Sequence, residues 1–405
     1  MRYAGRILAL LTLSVTAILL ASCGQKQNCS GIKFGAGSGG SSGGSSGGLN
    51  SGGSVCGAGS NNGGGGAGAS AAKDFLFYRG SLGPANAIST AALTATTFQI
   101  LPGVSVAVGQ STTGNMVVVN KKYLYLPDQN GSGGVMGFAI NHANGALTAL
   151  AGSPFAAPHP VTSIAADPDS KGGRFLFVTD ELSNNTSSYT IDAGTGALTF
   201  VSGSTVNNPG FQATSLNVDG TGRYLYATAG ASHSGVFGFS IDQNTGTLSP
   251  IAGSPFPLVS KSIQVTPDGA WIISESGGNF VDITPIEAGT GRILTASTTS
   301  FNTVNVVDWL AIHPNGNFVY MCSPRFAVEG YHFSAGSFTA LPGSPYTTLS
   351  DLGGCQFDQS GTALFGILSP SNEVGVRVVD PSTGAVAGGI PVLGVTTNNY
   401  FAVTN

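Results

Sequence analysis

Residues 215–228 read Ser215-Leu-Asn-Val-Asp-Gly-Thr-Gly-Arg-Tyr-Leu-Tyr-Ala-Thr228, two short β-prone runs around a Gly-rich polar turn. Gly and Asp tolerate the positive φ that a tight hairpin demands, so this stretch is predicted to be two antiparallel strands. The pattern recurs. Its second strand returns as Phe75-Leu-Phe-Tyr, Tyr123-Leu-Tyr-Leu, Phe175-Leu-Phe-Val, Trp271-Ile-Ile-Ser, Phe318-Val-Tyr-Met and Leu364-Phe-Gly-Ile. Successive starts, with Tyr224 in its place, lie 48, 52, 49, 47, 47 and 46 residues apart.

A leading strand precedes most of them: Met116-Val-Val-Val, Ser163-Ile-Ala-Ala, Ser262-Ile-Gln-Val, Trp309-Leu-Ala-Ile and Gly354-Cys-Gln-Phe. Later in each unit a Gly-centred turn, as in Thr195-Gly-Ala-Leu, Thr245-Gly-Thr-Leu and Thr383-Gly-Ala-Val, leads toward a fourth strand. Four strands per unit of about 47 residues is the proportion of a propeller blade. The first unit lacks its leading strand, and Tyr400-Phe-Ala-Val-Thr-Asn at the carboxyl end is a leading strand without a follower. Joining the two predicts an all-β, seven-bladed β-propeller with four-stranded blades, closed by the C-terminal strand, over residues 73–405. Closure removes the sheet edges that an open array would expose.

Composition agrees. Charged residues make up only 8% of the chain and Gly supplies 62 positions, which disfavours helices. All 19 acidic residues lie at or after Asp74, so the segment from Lys73 onward carries 11 - 19 = -8 in formal charge. An acidic body without a basic stripe excludes nucleic acid as a partner.

Residues 1–22 have the form of a signal peptide: Arg2 and Arg6, an apolar run from Ile7 to Leu20, then Leu20-Ala-Ser-Cys23. That tetrapeptide resembles the lipobox of bacterial lipoproteins, which implies lipidation of Cys23 and a membrane partner. Gly24 after the lipidated Cys implies sorting to the outer membrane. Residues 23–72 are rich in Gly and Ser and read as a flexible tether. Cys29 and Cys56 within it are either paired or free. Cys322 and Cys355, in neighbouring blades, are read either as a disulfide or as two buried thiols.

The unit of strand, Pro-Asp/Asn-Gly turn, Phe/Tyr-Leu-Phe/Tyr strand and Thr-Gly-x-Leu turn resembles the lactonase-type seven-bladed propellers, a family that includes 6-phosphogluconolactonases. The resemblance implies a ligand face at the channel mouth, where loops after the second strand meet loops before the next leading strand. It also implies catalytic roles for His159, in Ala157-Pro-His-Pro, and Glu181, in Asp180-Glu-Leu-Ser, as base and acid on a lactone. His233, Lys261, Glu275, Arg325 and Glu329 are assigned to loops of the same face as ligand-binding candidates.

The site departs from the family pattern where an Arg is expected, since Asn184-Asn-Thr stands there. Phosphorylated substrates lose their anion clamp. Ala151-Gly-Ser-Pro-Phe, Ala252-Gly-Ser-Pro-Phe and Pro342-Gly-Ser-Pro-Tyr read as blade-end turns. Metal spacings such as Cys-x-x-Cys are absent, so neither a metal nor a cofactor is expected. The two readings are a monomeric envelope lipoprotein whose propeller binds a glycan, peptide or protein, and an extracytoplasmic lactone hydrolase.

Overall fold

A computed structural model describes residues 74–80, 87–93, 98–108, 115–128, 133–180, 183–208, 213, 215–228, 235–260, 262–275, 278–323, 326–346, 352–368, 373–387 and 390–404. Of the two units into which the chain divides, Met1–Gly65 and Gly66–Asn405, all of these belong to the second. Cys23, Cys29, Cys56, Glu181, His233, Lys261 and Arg325 lie outside the described residues.

Seven antiparallel blades are present. Blade 4 shows the plan: an inner strand Ser215–Val218, a second Tyr224–Thr228, a third Val236–Ile241 and an outer Leu248–Pro250. Asp219 builds its hairpin by accepting the N–H groups of Arg223 and Tyr224, each at 2.8 Å, and the Thr221 hydroxyl. Asp242 builds the turn to the outer strand, accepting from Thr245 N at 2.8 Å before Gly246 adopts φ +77°. Such local carboxylate caps satisfy turn amides that no ladder reaches.

The final strand Ile390–Val403 serves two blades. Its first part pairs with Glu373–Val378 as the outer strand of blade 7, and its last part pairs with Asp74–Gly80 as the inner strand of blade 1. Leu76 lies opposite Val403 and Tyr78 opposite Phe401. Thr404 fastens the junction, with its N–H on Phe75 O at 2.9 Å and its hydroxyl oxygen accepting from Phe75 N at 2.6 Å. The ring therefore closes as the unpaired ends of the sequence require.

The two repeated signals of the sequence meet between blades. The leading aromatic of one blade's second strand lies against the turn glycine of the next: Phe75 on Gly145, Tyr123 on Gly196, Phe175 on Gly246, Tyr224 on Gly291, Trp271 on Gly336 and Phe318 on Gly384. A Cβ on any of these glycines would fall 2.3–2.6 Å from a ring atom. Side chains on the two faces of each second strand then fill the inter-blade cores, as Leu225 does with Phe175 and Phe177 of blade 3. Between blades 6 and 7 a disulfide joins Cys322 to Cys355, their Cα atoms 6.3 Å apart.

Among the described residues no helix is long and apolar enough to cross a membrane.

Candidate functional site

The inner strands surround a central channel of about 550 Å³. Strand register sets depth along its wall. Ser215, Ser262 and Trp309 pair with Thr228, Glu275 and Cys322, one level of three successive blades. Asn217 and Gln264 pair with Tyr226 and Ile273, two residues deeper. No charged side chain lines this channel among the described residues.

Some of the wall is engaged internally. Asn115 donates to Ile164 O at 2.5 Å and accepts from Ile164 N at 3.1 Å, covering the inner edge of blade 3 as another strand would. On the hairpin side, Asp169 of blade 3 accepts from Gln359 of blade 7 at 3.1 Å and from Asn120 N of blade 2 at 2.7 Å. These contacts span the lower rim beside blade 1, the one blade whose inner and second strands are not joined by a hairpin.

The opposite rim is the one that the sequence nominates. His159 is partly buried in the segment leading to Val161–Ala166, the inner strand of blade 3. Gly133, φ +73°, admits this segment: a Cβ there would lie 2.3 Å from Pro160 Cα. Asp180 ends the second strand of the same blade and pairs with Val161, so His159 and Asp180 share one rim. The Asp180 carboxylate accepts from Ser183 N at 2.7 Å and from its hydroxyl at 2.5 Å. No hydrogen bond reaches the His159 ring among the described residues.

Two further candidates depart from their expected placement. Glu275 closes the strand Trp271–Glu275 and is buried. Glu329 sits inside the nine-residue strand Phe326–Ser334, opposite Met321, and is also buried. Neither is a loop residue. The Glu329 carboxylate accepts Val304 N at 3.1 Å and Asn305 N at 2.6 Å, as well as the Tyr331 hydroxyl. It thereby fixes the connection from blade 5 to blade 6. Burial, the Glu329 hydrogen bond and its charge hold the Tyr331 hydroxyl well above the usual phenol range. Glu329 falls in a strand because the connection from Ser323 to Phe326 is shorter than its counterparts in the other blades.

Among the described residues no group of His, Cys, Asp and Glu is arranged to hold a metal ion. The channel-wall residues Ser215, Asn217, Ser262 and Gln264 were not singled out from sequence. Their signal was there, a polar residue at alternate positions of an otherwise apolar strand, which marks a face that meets water rather than core.

Residues 169–294, from blade 3 to blade 5, match the family model described as "Lactonase, 7-bladed beta-propeller". The seven-bladed propeller which that model describes is the fold found here. Similar solved folds include a Lactobacillus plantarum protein, at 15% identity and TM-score 0.61, over 82% of this chain and 98% of that one. The Pseudomonas aeruginosa periplasmic gluconolactonase aligns at 14% identity and TM-score 0.59, over 82% and 99% of the two chains. No curated protein matches the chain in sequence. A shared propeller fold leaves the chemistry to the side chains that it carries.

Proposed function

We propose that the protein is an envelope lipoprotein, anchored through Cys23, whose lactonase-family propeller binds a ligand or partner at its loop-rich mouth without turning it over. The observation that carries this reading is the state of the rim. A hydrolase needs a base held by an orienting partner and a group that polarises the reacting carbonyl. Here the His159 ring has no hydrogen-bond partner among the described residues, and the Asp180 carboxylate beside its loop is occupied by Ser183. Among the described residues the wall below offers no counter-charge to an oxyanion. The Cys322–Cys355 disulfide supports an oxidising, extracytoplasmic compartment, as does the likeness to a periplasmic protein.

The second reading is a lactone hydrolase using His159 and Glu181. It is favoured by the family match across residues 169–294, which contain Glu181, and by the shared rim of His159 and Asp180. Steady-state hydrolysis of phosphorylated and unphosphorylated aldonolactones by the full chain separates the two. Rates equal to buffer support binding; turnover that disappears in both His159→Ala and Glu181→Ala establishes the hydrolase.

A further inference from the structure

Blades 4 and 5 present the same alternation to the channel, Ser215-Leu-Asn217 and Ser262-Ile-Gln264. Leu216 and Ile263 are buried in the blade interfaces, whereas the four polar side chains stay partly exposed on the wall. Their carboxamides and hydroxyls make no hydrogen bond with any described residue, unlike Asn115, whose amide is occupied by Ile164. Trp309 of blade 6 continues the arc at the level of Ser215 and Ser262, and Gln356 of blade 7 follows it round the wall. Two hydroxyls, three carboxamides and one partly exposed indole therefore share a channel that carries no charge among the described residues.

The geometry points to this arc as a binding site for a neutral polyhydroxylated ligand, an uncharged saccharide of one or two rings. A carboxamide both donates and accepts, as a sugar hydroxyl does, so each can exchange its water contacts for a matched pair. The indole supplies a flat apolar surface for the C–H face of a sugar ring. An anionic ligand would lose hydration here without gaining a cation from the described wall, which selects against phosphate and carboxylate. A volume of about 550 Å³ suits a small ligand and leaves no room for a folded partner. The inference rests on the binding reading above and assigns its ligand to the channel wall, deeper than the rim that holds His159.

The test is calorimetric and fluorimetric titration of the full chain in detergent micelles with glucose, cellobiose and N-acetylglucosamine, beside glucose 6-phosphate and gluconate. The chain has two tryptophans, and the other, Trp271, packs on Gly336 at the hairpin side, so a Trp271→Phe background isolates Trp309. At least one neutral sugar is expected to bind and to change Trp309 emission. Asn217→Ala and Gln264→Ala are each expected to weaken that sugar by about tenfold, the loss of one or two hydrogen bonds. Their Tm should stay at the wild-type value, because neither side chain has an internal partner to lose. Unchanged affinity in both variants, tighter binding of glucose 6-phosphate or gluconate, or no sugar binding at all would each overturn the site. Those results leave the binding reading standing; lactone turnover is what removes it.

Discussion

The Tyr226 hydroxyl of blade 4 donates to the carbonyl oxygen of Gly291 in blade 5 at 2.7 Å. The same bond joins Tyr125 to Gly196 and Tyr320 to Gly384. In each of these blades a glycine stands opposite the tyrosine in the third strand: Gly137, Gly238 and Gly330. In blades 1 and 3, where the aromatic is phenylalanine, the opposite residue brings the hydroxyl instead. Thr90, opposite Phe77, reaches Gly145 O at 3.1 Å, and Ser188, opposite Phe177, reaches Gly246 O at 2.7 Å. One carbonyl, buried between blades, is thus served by either of two positions.

Tyr226→Phe should leave the Gly291 carbonyl without its donor and cost about 1–2 kcal/mol. Burial pushes the Tyr226 hydroxyl up and keeps it protonated, so the loss should not vary between about pH 6 and 9. Urea denaturation at several pH values checks both points.

Moving the hydroxyl across should fail in blade 4 by itself. A Cβ on Gly238 would lie 2.9 Å from a ring carbon of Phe256, which follows the Ser254-Pro255 step. Blade 3 has Thr205-Val206 where that Pro-Phe pair stands, and there Ser188 fits. Gly238→Ser should cost roughly 1–3 kcal/mol through overpacking, and Phe256→Val in the same chain should recover part of that strain. A double-mutant cycle by thermal unfolding reads the coupling.

Gly291 and Gly203 both have positive φ, at +71° and +76°, but only Gly291 is crowded. Alanine at Gly203 should cost about 1–2 kcal/mol, the left-handed backbone penalty alone. Alanine at Gly291 meets the Tyr224 ring at 2.3 Å and should cost several kcal/mol on the order of a core overpacking defect as well. Equal losses at the two sites would refute the account of how one blade rests on the next.

His313 should make the fold acid-sensitive. Its Nε2–H bonds to Gly361 O at 3.0 Å and its Nδ1 accepts Asn315 N at 3.1 Å, so the neutral ring fills both contacts. Burial holds the imidazole below its ordinary 6.5, against smaller opposing effects of those bonds and of Asp358. The unfolded chain binds the proton more readily, so stability is full above pH 6.5 and falls as pH drops below it toward the folded value. His313→Gln should flatten that part of the stability curve in urea titrations run across the same range.

The Cys322–Cys355 link fastens the last two blades before the noncovalent closure. Replacing both cysteines by serine should cost about 2–4 kcal/mol, and dithiothreitol should lower the Tm of the wild-type chain by a comparable effect. An unchanged Tm under reduction would argue against the disulfide.

The architecture was legible because each of its signals is local and repeats: an aromatic strand, a glycine turn, an orphan strand at each end. What the repeats could not say is that the aromatic and the glycine are partners across blades, since period alone does not tell which unit a side chain faces. The cysteine pairing stayed open for the same reason. Cys322 lies on the face of its strand that looks toward blade 7, and register decides that. Glu329 was misplaced because blade 6 compresses its loop and extends its strand, turning an acidic residue inward onto Val304 and Asn305. The channel ladder of Ser215, Asn217, Ser262 and Gln264 lies in short strands, where two alternating polar residues do not tell an inner wall from an outer face.

The most direct measurement follows one compound two ways in one tube: glucono-1,5-lactone with the full chain, its binding by calorimetry and its disappearance by proton NMR. The account predicts lactone decay at the buffer rate whatever the protein concentration, and a saturable heat if this neutral ring is among the ligands. Decay that accelerates in proportion to protein, and returns to the buffer rate in His159→Ala, would contradict it and make this propeller an enzyme.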